Sequence, residues 1–112
     1  MNLTFSEFRE ANKTRCNESF HPIDSWKLHD WAIALIGEFG EAMNILKKIK
    51  RVDDGTDPLS DLNILYPALM EEIADIVTYA DLLLTSQGYV LEEELVNKFN
   101  KVSEKRGSTI KL

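Results

Sequence analysis

The stretch WKLHDWAIALIGEFGEAMNILKKIK, residues 26–50, has the clearest pattern in the sequence. Its apolar residues recur every three or four positions, which is the spacing of a helix with one apolar side. The residues of this predicted core side are Leu28, Trp31, Ala32, Leu35, Phe39, Ala42, Met43, Leu46 and Ile49. The stretch therefore predicts one long core-facing helix, around which the other elements pack.

Two glycines, Gly37 and Gly40, lie inside this predicted helix on either side of Glu38. Each costs up to about 1 kcal/mol of helix stability relative to alanine. Close approach of another group to the helix explains why no side chain stands there. That group is either a neighbouring helix or a ligand with its metal, and the sequence leaves both open.

A shorter helix is predicted before the long one, over residues 4–17, with Thr4 or Ser6 as its N-cap. Between the two helices, Pro22 disfavours helix at the residue before it. Residues 21–25 are therefore predicted to form a connector.

Turn-forming residues predict a long connector over residues 52–66, which is either a mobile flap or carries a short helical turn. Pro67 suits the first turn of a third helix, which Gly88 ends. A fourth helix is predicted over residues 91–105.

Both of these helices also have a predicted core side. Its residues are Leu69, Ile73, Ile76, Ala80 and Leu83 or Leu84 on the third helix, and Leu95, Phe99 and Val102 on the fourth. No segment alternates as a strand does. The fold class predicted is all-α, with four main helices forming a helical bundle in a single domain over residues 1–112.

Length, charge and cysteine content limit the classes of protein to which this chain can belong. A chain of 112 residues has a modest core, so that oligomerisation would help to cover apolar surface. The net charge of −6 argues against a general nucleic-acid-binding surface. Cys16 is the only cysteine, which excludes an intramolecular disulfide and fits a reducing compartment. With no leader and no membrane-spanning stretch, a soluble cytoplasmic protein is predicted.

Two pairs of acidic residues share one layout, in which a leucine is followed by acids three and six positions later. The two sets are Leu35, Glu38 and Glu41, and Leu69, Glu72 and Asp75. On a helix the first acid of each pair lies about 60° around the axis from its leucine and the second lies about 120° from it. The direction of rotation is the same for both pairs. Helices that pack through their leucine sides would bring the four carboxylates to one edge of the interface.

Four carboxylates in a small space form a site for a hard cation, Mg²⁺ or Mn²⁺, and such ions also bind phosphate oxygens. No cysteine or histidine lies within either pair, which makes zinc less suitable. Either pair alone is also typical of a solvated helix flank, and this alternative stays open. His21 and Trp26, upstream of the first pair, are candidates for stacking on a base, whereas Trp31 is predicted to be core.

The arrangement resembles the MazG-type all-α nucleotide pyrophosphohydrolases. The double motif, Glu-x-x-Glu and Glu-x-x-Asp, lies within residues 31–42 and 71–79, which extend the similarity. Lys98, Asn100 and Arg106 are similar to the Lys-x-Asn and trailing arginine of the family's last helix. The resemblance covers about residues 26–107, although the segment between the motifs is long for the family.

The resemblance implies hydrolysis of a nucleoside triphosphate between its α and β phosphates, in nucleotide-pool cleaning or control. It further implies that subunits complete the bundle as a homodimer or homotetramer. When the roles of the family's residues are carried over to this sequence, the resemblance implies that Mg²⁺ is held by Glu38, Glu41, Glu72 and Asp75. Glu41 would orient the water. The substrate would be contacted by Lys98, Asn100 and Arg106.

Two alternatives remain. One is hydrolysis of another pyrophosphate-containing nucleotide, such as phosphoribosyl-ATP or a guanosine alarmone. The other is a non-catalytic helical module that binds a nucleotide or a protein.

Overall fold

The computed structural model describes residues 1–57 and 59–112. Its helices are α1 (Phe5–Ser19), α2 (Leu28–Asp53), α3 (Leu62–Ser86) and α4 (Leu91–Lys105), with a 3-10 turn at Ile23–Ser25. The described ranges contain no strand. The predictions of an all-α class and of four main helices are thereby confirmed.

Helix α1 begins with a reciprocal pair of hydrogen bonds between Thr4 and Glu7. The Thr4 hydroxyl accepts from the Glu7 backbone N–H at 3.1 Å, and the Glu7 carboxylate accepts from the Thr4 backbone N–H at 2.8 Å. These bonds satisfy two donors that a helix start otherwise leaves unpaired. Of the two predicted caps, Thr4 is therefore the one that operates.

The start of α3 differs from the prediction. The helix begins at Leu62, five residues before Pro67, because the Asp61 carboxylate accepts a hydrogen bond from the Asn63 backbone N–H at 2.9 Å and caps it. Pro67 thus lies inside the helix and cannot donate to the Asn63 carbonyl. Both residues are exposed, so water can serve that carbonyl.

The connector before α3 is correspondingly short. Helix α2 ends at Asp53, and none of residues 54–57 and 59–61 is helical. Of the two possibilities predicted for the connector, a short helical turn within it is therefore wrong for these residues. Pro58, which also belonged to the predicted connector, lies outside the described residues.

The chain divides into two compact units, and the boundary falls within α3. The terminal unit comprises residues 1–28 and 81–112, and the central unit comprises residues 29–80. In the central unit Trp31, Ala42 and Ile49 are buried, as predicted for the core side of α2. The terminal unit contains α1 and α4, and buries Cys16 and Leu82.

The other predicted core residues are less covered than expected. The exposed ones are Leu28, Phe39, Met43, Leu46, Ile73, Leu95, Phe99 and Val102. An apolar helix face is removed from water only where another element packs on it. The described part of the chain does not supply that cover, which corrects the prediction that these side chains are core.

The length and composition of the helices also bear on membrane insertion. Within residues 1–57 and 59–112, no helix combines the length and the apolar character needed to cross a bilayer.

Candidate metal centre

Three carboxylates from α2 and α3 converge in the central unit. Glu38, Glu72 and Asp75 each place one carboxylate oxygen within 4.8 Å of the other two. Glu38 and Glu72 are half-buried, whereas Asp75 is exposed. The spacing of the acidic pairs predicted this meeting, since residues three apart on a helix share a face.

Glu41, the fourth predicted acid, is exposed and does not belong to this group of converging oxygens, but its charge acts on two members of the group. Burial raises the pKa of Glu38, and the charges of Glu41, Asp75 and Glu72 raise it further. Burial likewise raises the pKa of Glu72, and the nearby carboxylates of Glu41, Asp75 and Glu71 add to the effect. Both acids thus bind protons more tightly than a solvated glutamate does, because they are partly buried and lie close to other anions.

Two oxygens of the cluster lack partners. Glu38 Oε2 and Glu72 Oε2 are shielded from water, and neither has a hydrogen-bond partner among the described residues. A shielded carboxylate oxygen without a partner is costly. Oxygen donors of this kind suit Mg²⁺ or Mn²⁺, and no cysteine or histidine belongs to the group. The residues therefore fit a hard divalent cation.

The two glycines beside Glu38 have open space around them. A Cβ built on Gly37 or on Gly40 meets no described atom within 4 Å. A neighbouring helix of the described chain therefore does not explain their small size. Two explanations of the glycines remain. One is the close approach of a ligand with its metal, as the sequence suggested, and the other is the close approach of another molecule.

The residues predicted to contact substrate all belong to the terminal unit. Lys98 is exposed on α4, and Arg106 is the C-cap residue of that helix. The Asn100 side chain is engaged by the backbone of Leu112. Val90, the N-cap residue of α4, makes no side-chain capping bond.

His21 and Trp26 stack on each other, with ring centroids 4.0 Å apart and an angle of 26° between the planes. His21 Nδ1 lies 3.1 Å from the Ser25 hydroxyl, which holds the imidazole in this orientation. Each ring is half-buried and already has one aromatic partner. Their predicted role as a stacking platform for a base stays a prediction.

A buried polar cluster in the terminal unit was not predicted. Asp81 is only 1% exposed; its Oδ2 accepts a hydrogen bond from Asn12 Nδ2 at 3.0 Å, and Arg9 Nε lies 3.9 Å from its Oδ1. Arg9 also forms an ion pair with Glu92. The available signal was an aspartate inside the apolar run of α3, which requires a partner when buried.

Neither a family model, nor a curated protein, nor a solved structure matches this chain in the three comparisons with known proteins. The MazG-type resemblance consequently rests on the motif residues alone. The geometry of the acidic cluster supports a cation site independently of that resemblance.

Proposed function

We propose that this protein is a Mg²⁺-dependent nucleotide pyrophosphohydrolase. It converts a nucleoside or deoxynucleoside triphosphate into the monophosphate and pyrophosphate, in cleaning or control of the nucleotide pool. The observation that carries this proposal is the convergence of Glu38, Glu72 and Asp75, with Glu41 beside them. The similarity of these motifs to the MazG-type enzymes gives the reaction.

In this proposal all four acids hold the ion, and Glu41 has a second task. Glu38, Glu72 and Asp75 would hold the ion with Glu41. When bound, Mg²⁺ neutralises phosphate charge and lowers the pKa of a water molecule. Glu41 orients the attacking water and accepts its proton. The water oxygen forms a bond to the α phosphorus, the bond to the bridging oxygen breaks, and pyrophosphate leaves.

Substrate positioning is assigned to five residues outside the acidic cluster. Lys98 and Arg106 carry the positive charge that phosphate requires, and Asn100 offers an amide donor and acceptor to phosphate or sugar. Trp26 and His21 supply aromatic surface for the base. These assignments rest on the motif resemblance and on the chemistry of the side chains.

A second copy of the chain, in a homodimer or homotetramer, completes the bundle in this proposal. The support is the exposed apolar row on α2, where Phe39, Met43 and Leu46 are 44%, 50% and 42% exposed. Large exposed apolar patches on soluble proteins are typical of interaction surfaces. Light scattering on the purified protein tests this; a monomer at micromolar concentration would contradict it.

The decisive experiment measures two products separately. Purified protein is incubated with a panel of NTPs and dNTPs plus Mg²⁺, and pyrophosphate and orthophosphate are quantified. Pyrophosphate is the expected primary product. Orthophosphate instead would contradict cleavage between the α and β phosphates.

Variants test the acidic cluster itself. We expect Glu41→Gln and Asp75→Asn each to abolish turnover with the fold intact. Glu71→Gln is the control for charge alone, because Glu71 is exposed, lies outside the group of converging oxygens and is given no part in the chemistry, although its charge acts on Glu72. Normal activity in both cluster variants would refute the metal-site assignment.

The two alternatives give different outcomes. Turnover of phosphoribosyl-ATP or of a guanosine alarmone, with none of any NTP, would assign the same chemistry to another substrate. Nucleotide binding without any product would identify a non-catalytic module.

A further inference from the structure

The chain reverses direction after α4. The helix ends at Lys105, and Gly107 then adopts a φ of +69°, a left-handed conformation that favours glycine. The Ser108 backbone N–H donates to the Ser103 carbonyl at 2.8 Å, which closes the turn. Residues 108–112, here named the return segment, therefore run back toward the preceding helix.

The return segment ends on the side chain of Asn100. Asn100 Oδ1 accepts a hydrogen bond from the Leu112 backbone N–H at 2.9 Å, and Asn100 Nδ2 donates to the Leu112 oxygen at 3.1 Å. Lys111 Nζ donates to the Asn100 backbone carbonyl at 3.2 Å. Both polar ends of the carboxamide are thus engaged by one residue of the same chain.

This attachment has little apolar support. Ile110 and Leu112 stay 64% and 66% exposed, so that the segment is held mainly by hydrogen bonds. Such bonds are worth little net in water, because water replaces them when they open. A ligand that offers the carboxamide equivalent partners can therefore displace the segment.

We infer that the return segment is an autoinhibitory strap that competes with the nucleotide for Asn100. The inference rests on the proposed function, in which that carboxamide contacts phosphate or sugar. A protein whose competent state is only partly populated binds with an affinity reduced by that fraction. The strap therefore raises KM and leaves the chemical step unchanged.

A proline at Leu112 tests the strap without altering Asn100. Leu112→Pro removes the N–H that Asn100 Oδ1 accepts, whereas Leu112→Ala keeps it and is the matched control. If the strap is closed nine-tenths of the time, Leu112→Pro lowers KM about tenfold at constant kcat. Leu112→Ala keeps the KM of the unaltered chain, and deletion of residues 108–112 reproduces the effect of the proline.

Amide exchange of Leu112, followed by NMR, reports strap closure without reference to activity. Protection of the Leu112 N–H that is lost on adding the best substrate of the panel with Ca²⁺ in place of Mg²⁺ supports the strap. Protection that persists with nucleotide bound overturns it, as does a KM that is unchanged or higher in Leu112→Pro and in the deletion. Absence of turnover with every nucleotide refutes the proposed function and the inhibitory role together, while the protection data still show whether the segment is docked.

Discussion

Glu38 and Glu72, on two different helices, each hold a carboxylate oxygen away from water with no hydrogen-bond partner in the described chain. Their carboxylates also lie within 4.8 Å of each other. Two like charges at this distance repel, and partial burial strengthens the repulsion. The helices therefore keep in place an arrangement that is unfavourable for the folded state unless a cation or a proton joins it.

Glu38→Gln removes one of these charges. We expect it to raise the Tm of the protein in EDTA, because the amide relieves the repulsion and can donate to a neighbouring carboxylate. The same variant should lose the increase in Tm that Mg²⁺ gives to the unaltered chain. Differential scanning calorimetry with and without Mg²⁺ measures both. A lower Tm in EDTA with full retention of the Mg²⁺ effect would contradict the proposed role of Glu38.

The pH dependence of metal-free stability follows from the same two acids. Burial and the neighbouring carboxylates raise the pKa of Glu38 and of Glu72 in the folded chain. Between the ordinary glutamate pKa and the raised values, the folded state binds more protons than the unfolded state. Their contribution to the free energy of unfolding is therefore fully present at lower pH and is lost as the pH rises through this window.

Urea unfolding in EDTA at a series of pH values checks this expectation. Saturating Mg²⁺ should reduce the loss, since the cation replaces the protons. Glu38→Gln should also show a shallower dependence. A metal-free stability that rises through the window in the unaltered chain, and equally in Glu38→Gln, would contradict it.

Gly37→Ala and Gly40→Ala test whether the two glycines are required for stability or for binding of the ligand. A methyl group at either position meets open space, so each substitution should stabilise the chain by up to about 1 kcal/mol. If a ligand approaches the helix there, the same variants lose activity. Gly55→Ala is a control of opposite sign, because its φ of +74° makes alanine strained. Stabilised variants with unchanged kcat/KM would refute close approach of the ligand.

The fold was predictable where local patterns decide it. The limits of α4 and the glycine that ends α3 were predicted correctly, since α4 spans Leu91–Lys105 and Gly88 adopts the positive φ that ends a helix. The predicted start of α3 at Pro67 is wrong because the helix is capped by Asp61, six residues earlier. The exposed rows of α2 and α4 were predicted as core, since apolar periodicity identifies a side to be covered but not what covers it.

The site was predictable in part for a related reason. The i, i+3 spacing of each acidic pair places its members on one face, and the geometry brings Glu38, Glu72 and Asp75 together. The attachment of Leu112 to Asn100 was beyond prediction, because a flexible polar segment has no periodicity to follow. For Asp81 the apolar run of α3 indicates burial, but its partners Arg9 and Asn12 could not be predicted because they are distant in sequence.

Arg9→Ala tests whether this last cluster holds the terminal unit together. Arg9 lies between Asp81, which is almost fully buried, and the half-buried Glu92. Removing the cation leaves a buried carboxylate with Asn12 as its hydrogen-bond donor, and breaking a buried pair in this way costs about 3 kcal/mol. Lys13→Ala, an exposed change on the same helix, should cost under about 0.5 kcal/mol.

The double variant Arg9→Ala with Asp81→Asn makes the test specific to the charge. Because a neutral amide needs no counter-ion, the double variant should be more stable than Arg9→Ala alone. Urea unfolding of the set gives the free energies of unfolding. If Arg9→Ala costs no more than Lys13→Ala, or if Asp81→Asn adds a further loss of similar size, the Arg9 charge does not compensate the buried carboxylate. Recovery of the free energy of unfolding in the double variant would show that Arg9 compensates the buried charge of Asp81.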